Sequence, residues 1–114
     1  MDRMTPIVFV GWIEKILEPS KYSVRFVVRS WRNKKEQSKL IAAKAYNSCL
    51  LFEASISSGA ASQLDGLNVN DKVQVQFLVT GATGTSADGK FYCMNRLKVL
   101  AYNGIMLLER GTGV

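Results

Sequence analysis

Eight of the chain's fifteen basic side chains fall between residues 21 and 44: Lys21, Arg25, Arg29, Arg32, Lys34, Lys35, Lys39 and Lys44. Glu36 is the only acid among them, so this stretch carries +7 of a net +6 and the remainder of the chain sums to −1. Trp31 lies in the middle of this charge. A dense cationic band holding an aromatic ring has the chemistry to neutralise phosphodiester groups and to stack exposed bases. Clustered like charge also repels itself, a cost that a bound polyanion relieves.

Other chemistries lack their residues. Histidine is absent, which removes the usual base for a serine or cysteine nucleophile and the commonest zinc ligand. The nine carboxylates are scattered, with Asp65, Asp71 and Asp88 at turn-like positions, so no two-metal or glycosidase pair is evident. Gly81, Gly84 and Gly89 match neither GxxxxGK[ST] nor GxGxxG spacing. No enzyme activity, cofactor or metal is expected.

The elements that must position the band follow from periodicity. At 114 residues, with 47% apolar and 21% charged residues, the chain has the size and composition of one globular domain. It has no apolar run near the ~20 residues of a membrane span, and no signal peptide is expected. Cys49 and Cys93 sit among apolar neighbours and are expected to be buried thiols in a reducing compartment, hence a cytoplasmic protein.

Residues 7–17 predict a long first strand with a bulge or bend at Gly11. Over 21–32, Tyr22, Val24, Phe26 and Val28 alternate with Lys21, Arg25, Arg29 and Trp31, which predicts a second strand with an apolar face and a basic, aromatic face. Residues 33–39 are expected to be a loop, Leu40–Tyr46 a third strand, and Asn47 or Ser48 to Ser57 a short helix. A fourth strand places Val73, Val75, Phe77 and Val79 inward. Gly81 to Lys90 reads as a hairpin loop closed at Asp88-Gly89, and Phe91 to Tyr102 as a fifth strand. The order β-β-β-α-β-β is that of the all-β OB fold, a five-stranded Greek-key barrel with a short helix between strands three and four. Its nucleic-acid face is built on strands two and three, where the basic band falls. One domain is expected over 1–108, with 109–114 as a short tail.

Several segments, in order along residues 7–108, resemble the bacterial and phage single-stranded DNA-binding proteins and their plasmid and primosomal relatives. Ile7-Val8-Phe9-Val10-Gly11 is similar to that family's opening strand, and Ser30-Trp31-Arg32-Asn33-Lys34 to its Ser-Trp-Arg-Asp-Lys signature. Lys35-Glu36-Gln37 resembles the approach to strand three, and Tyr46 falls where a stacking phenylalanine is common. Gly66 to Val75 resembles the entry into strand four, with Asn70 in place of a glycine. Asp88 to Tyr92 and Asn103 to Leu107 resemble the last hairpin tip and the Gly-x-Met-x-Leu ending. Leu40 stands where a stacking tryptophan is usual, the loop between strands four and five lacks another, and Trp12 replaces an asparagine. The sequence runs to Val114 without the long linker and acidic, phenylalanine-ending tip of bacterial members, so recruitment through such a tip is not expected.

The resemblance implies a coat on single-stranded DNA with little sequence preference, serving replication, recombination or repair, in a homo-dimer or homo-tetramer with replication proteins as further partners. RNA offers the same phosphates and bases. Phosphate contacts are expected from Lys21, Arg25, Arg29, Arg32, Lys34, Lys35, Lys39 and Lys44, with Arg96 and Lys98 as secondary candidates. Trp31 is expected to stack on bases. Tyr46 suits stacking and edge-of-core packing equally, and Trp12 is expected to be buried or in a subunit contact. The alternative is an OB-fold interaction module of a replication or primosome complex, with nucleic acid secondary.

Overall fold

Alternation makes β2 (Ser23–Arg29) what its sequence predicts: Phe26 and Val28 are wholly buried while Arg25 is exposed. In a computed structural model, which describes residues 5–44 and 48–111, β2 pairs with β1 (Ile7–Ile16) on one side and β3 (Cys49–Ser55) on the other. The long β4 (Lys72–Thr85) and β5 (Phe91–Val99) complete a ring in the order β1-β2-β3-β5-β4, closed by β1–β4 pairing. Only β3 and β5 run parallel, meeting at Phe52 and Leu97. This is a five-stranded OB barrel. A sixth strand, β6 (Ile105–Glu109), continues the sheet by pairing with Lys72–Val75 of β4.

Phe52 is at the centre of the barrel. Its ring centroid lies 4.9 Å from that of Phe77, 5.5 Å from Phe26 and 6.1 Å from Phe9. Ile13, Val28, Val73 and Val75, all fully buried, fill the space around these rings. Gly11 is required by close approach rather than by a bulge. A side chain there would strike the Arg29 carbonyl and lie 2.9 Å from Val28 Cγ1. The register irregularity in β1 falls between Ile13 and Lys15 instead.

Two expected elements are exchanged. The segment expected to open as a loop forms α1 (Lys34–Ala42), so the expected strand at Leu40–Tyr46 begins inside a helix. The expected helix at 47–57 is instead largely β3. Asn33 caps α1, its Oδ1 accepting the Glu36 amide at 2.9 Å, and the Asn-x-x-Glu spacing of a capping box is present in the sequence. Leu50 to Ile56 is too short an apolar run for periodicity to separate helix from strand, and the barrel takes it as a strand because Phe52 fills its centre. Between β3 and β4 lies a short 3-10 turn, Ala60–Leu64, which buries Ala60 and Leu64. Its Gln63 side chain binds Leu100 O, Ala101 O and the amides of Gly104 and Ile105 at 2.7–3.2 Å.

The first half of the expected loop at Gly81–Lys90 is strand: β4 and β5 stay paired out to Thr85 and Phe91, leaving a tip at Ser86–Lys90 with Gly89 at φ +85°. Tyr92 lies across Gly84, whose missing side chain makes room for the ring. Val79 and Tyr22, expected inside, are exposed, as are both cysteines. The thiols therefore give no packing argument for a compartment.

Asp71 fastens the end of β6 to the start of β4. It is 1% exposed, covered by the very groups that bind it. Its carboxylate accepts the Gly111 amide at 2.8 Å, the Asn68 amide at 2.9 Å and Arg110 Nη1 at 3.1 Å. Burial alone would raise its pKa, but these bonds outweigh it and hold the carboxyl below the usual carboxylate range. The stabilisation is therefore complete above the unfolded-state pKa of about 3.9 and is lost as pH falls through the lower folded value. Asp71→Asn is expected to cost about 1–3 kcal/mol at pH 7. Urea unfolding at pH 7 and near pH 2 checks this: the gap between variant and parent should shrink in acid, and a constant gap would contradict it. Among the described residues, no helix is long and apolar enough to cross a membrane.

Candidate nucleic-acid interface

The outer surface of β2 and β3 carries two depressions, one at each end of the strand pair. The larger, about 750 Å³, lies where β2 ends and α1 begins, with Trp12, Trp31, Arg32, Lys34, Cys49 and Arg110 in its wall. Trp12 stands directly opposite Arg29 in the β1–β2 register, and Trp31, in the turn after β2, lines the same depression. Both indoles are half-buried. Lys72 Nζ lies 5.2 Å from the centroid of the Trp12 ring, adding positive charge beside an aromatic face.

Arg29 forms part of the basin lining but is not a free cation. It is 6% exposed and donates to Ile13 O at 3.1 Å, Glu14 Oε1 at 3.2 Å, Arg32 O at 2.8 Å and Asn70 Oδ1 at 2.8 Å. The expected phosphate ligand is thus a brace. It ties the turn carrying Trp31 to β1 and to Asn70, which adopts φ +75°. Asparagine tolerates that left-handed backbone and supplies the oxygen that Arg29 needs.

The smaller depression, about 430 Å³, lies between the start of β2, the end of β3 and the middle of β5. Arg25, Glu53 and Arg96 line it, with Tyr22, Leu51 and Met94 as apolar surface. Glu53 stands opposite Arg25 on one side and Lys98 on the other, and Arg96 Nε is 3.9 Å from its Oε2. Val27 and Leu51 pair between the two depressions, so one track along β2–β3 joins them.

The remaining basic residues surround that track. Lys34 opens α1 at the basin, and Lys35 and Lys39 are exposed further along the helix. Lys44 follows it at φ +55°, off the strand face where it was expected. Arg32 is exposed and pairs loosely with Glu109 at 3.5 Å. Lys21 sits in the β1–β2 turn with its Nζ 5.5 Å from the Tyr22 ring centroid. Tyr46 lies outside the described residues. α1 buries no side chain, so its cationic residues stand clear of the barrel core. Lysines in its first turn oppose the helix dipole, a cost that an anion at that end relieves.

Trp12, Glu53 and Arg110 join the site without having been expected there. The parity of Val8, Val10 and Trp12 against Phe9, Gly11 and Ile13 signals Trp12's orientation, because the second set faces the core. Nothing local signals Glu53 or Arg110, whose places depend on pairing between distant strands. Among the described residues, no three His, Cys, Asp or Glu side chains cluster as metal ligands.

This architecture is shared with a solved structure. The chain is similar to the mitochondrial single-stranded DNA-binding protein Rim1 of S. cerevisiae, at a TM-score of 0.62 and 15% identity, covering 97% of this chain and 100% of that one. At that identity the likeness establishes the OB fold. No family model and no curated protein matches the chain significantly.

Proposed function

We propose that the protein binds single-stranded DNA without enzymatic action, coating it during replication, recombination or repair. The observation that carries this is the basin, where two half-buried tryptophans share one wall with Arg32, Lys34 and Arg110 at the end of the β2–β3 track. Phosphates would lie along Arg25, Arg32, Lys34, Lys35 and Lys39, with Lys21, Lys44 and Arg96 at the margins. Bases would stack on Trp31 and Trp12, each such contact contributing about 1–3 kcal/mol. The shared fold with a protein of that kind supports the reading.

Titration with an unstructured thymine oligonucleotide should quench the tryptophan fluorescence, and added salt should reverse the quenching. Trp31→Ala should remove a large share of the signal and weaken binding about tenfold. Unquenched fluorescence together with no mobility shift would overturn the proposal and leave the basic band to a protein partner.

A homo-dimer would use the free edge of β1. Ile7 to Gly11 pairs only with β4, leaving one β1 edge open among the described residues. Val8 and Val10 on that segment are 53% and 42% exposed. Antiparallel pairing of two β1 edges about a two-fold axis would close that edge. Light scattering on the eluted protein should return twice the chain mass, and a monomer mass would refute this arrangement.

A further inference from the structure

Glu53 places a carboxylate on the β2–β3 surface, in the smaller depression, as Glu14 and Glu109 do in the larger. It sits at the centre of the smaller depression, its side chain 22% exposed, where a carboxylate repels phosphate. Its neighbour Arg96 approaches no closer than 3.9 Å, beyond hydrogen-bond reach, and no described donor bonds either carboxylate oxygen. Both acceptor oxygens are open to the depression, beside apolar surface from Leu51, Met94 and Tyr22 and among the cations Arg25, Arg96 and Lys98. A carboxylate only accepts, and takes two parallel N–H groups best.

The geometry points to a base-reading subsite at Glu53 that selects guanine from a passing single strand. This rests on the single-strand reading and adds one discriminating position to an otherwise tolerant coat. Guanine alone among the bases presents two adjacent N–H donors, N1–H and N2–H, on its pairing edge. Cytosine and adenine offer one amino group each. Thymine offers one N–H between two carbonyls, which a carboxylate repels. The apolar side chains give the purine ring a surface to rest on, and Arg25 and Arg96 take the flanking phosphates. Single-stranded bases are open to reading on this edge because they are unpaired.

The test compares three short oligonucleotides by fluorescence anisotropy: all thymine, thymine with one central guanine, and thymine with one central inosine, which lacks the N2 amino group. The parent protein should bind the guanine strand about tenfold more tightly than the thymine strand, as expected for one good bidentate contact, and inosine should lose most of that gain. Glu53→Gln should abolish the guanine preference while strengthening binding to the all-thymine strand, because a repulsive charge leaves the face. Equal affinity of the parent for all three strands would overturn the subsite and leave the single-strand reading intact. A guanine preference that survives in Glu53→Gln would also overturn it. Binding to none of the three at low salt would overturn the single-strand reading and the subsite together.

Discussion

Replacing Lys34, Lys35 and Lys39 together with glutamine is expected to weaken binding to a thymine oligonucleotide about a hundredfold at low salt. A unit charge pair 4 Å apart in water is worth about 1 kcal/mol, and three such contacts sum to about 3 kcal/mol. The salt dependence should fall as well, by about 0.7 in the log–log slope for each lost phosphate, or roughly 2 for three. The folded state should be almost indifferent, because α1 buries no side chain and its cap at Asn33 is retained. That combination separates a binding role from a structural one. Anisotropy titrations at several salt concentrations, with thermal unfolding alongside, read both quantities. An unchanged slope would move the phosphate path off the helix, whatever the loss in affinity.

The largest effect on stability is expected at Phe52. Truncation to alanine should cost about 3–5 kcal/mol, in the range for a buried aromatic whose space cannot collapse. The space cannot collapse because three other rings meet Phe52, and the backbone around it is fixed by β2 on one side and β5 on the other. Since a domain of this size has about 5–15 kcal/mol in hand, the urea midpoint should fall by more than about 1 M. A loss below about 1 kcal/mol would show that the barrel repacks and that the four-ring cluster is not its organising centre. Binding by the fraction that remains folded should persist, because Phe52 faces away from the β2–β3 outer surface.

The two variants divide the molecule physically. Phe52 acts through apolar burial and is insensitive to salt, whereas the helix lysines act through a screened field that fades within about 10 Å at 0.1 M salt. The solvent-facing helix can therefore carry dense charge without weakening the barrel.

Where pattern and neighbours agree, the elements are legible in the chain itself. Alternation over Val24–Val28 and Val73–Phe77 defines β2 and the first half of β4, because a strand's two faces differ whichever strand it meets. Asp88-Gly89 marks the hairpin tip, where Gly89 takes the positive φ the turn needs. The +7 charge of residues 21–44 is also a property of sequence alone. The exchanged elements had weaker local signals. The capping pair Asn33 and Glu36 marks α1, but the alternating apolar positions of Leu40 to Tyr46 compete with it.

By itself, then, the sequence determined the inward apolar faces of β2 and the first half of β4 and the concentration of positive charge in residues 21–44. Tertiary structure decided the roles within that frame. Arg29 alternates with the core set as a solvent-facing residue should, yet Asn70, forty-one positions away, folds over it and makes it a brace. Trp12 belongs to an apolar strand, yet its register opposite Arg29 brings it to the depression that Trp31 also lines. Glu53 becomes central only because β3 pairs with β2 on one edge and β5 on the other. Periodicity is a local property of the chain, whereas burial and electrostatic environment depend on which distant strand arrives alongside and in what register.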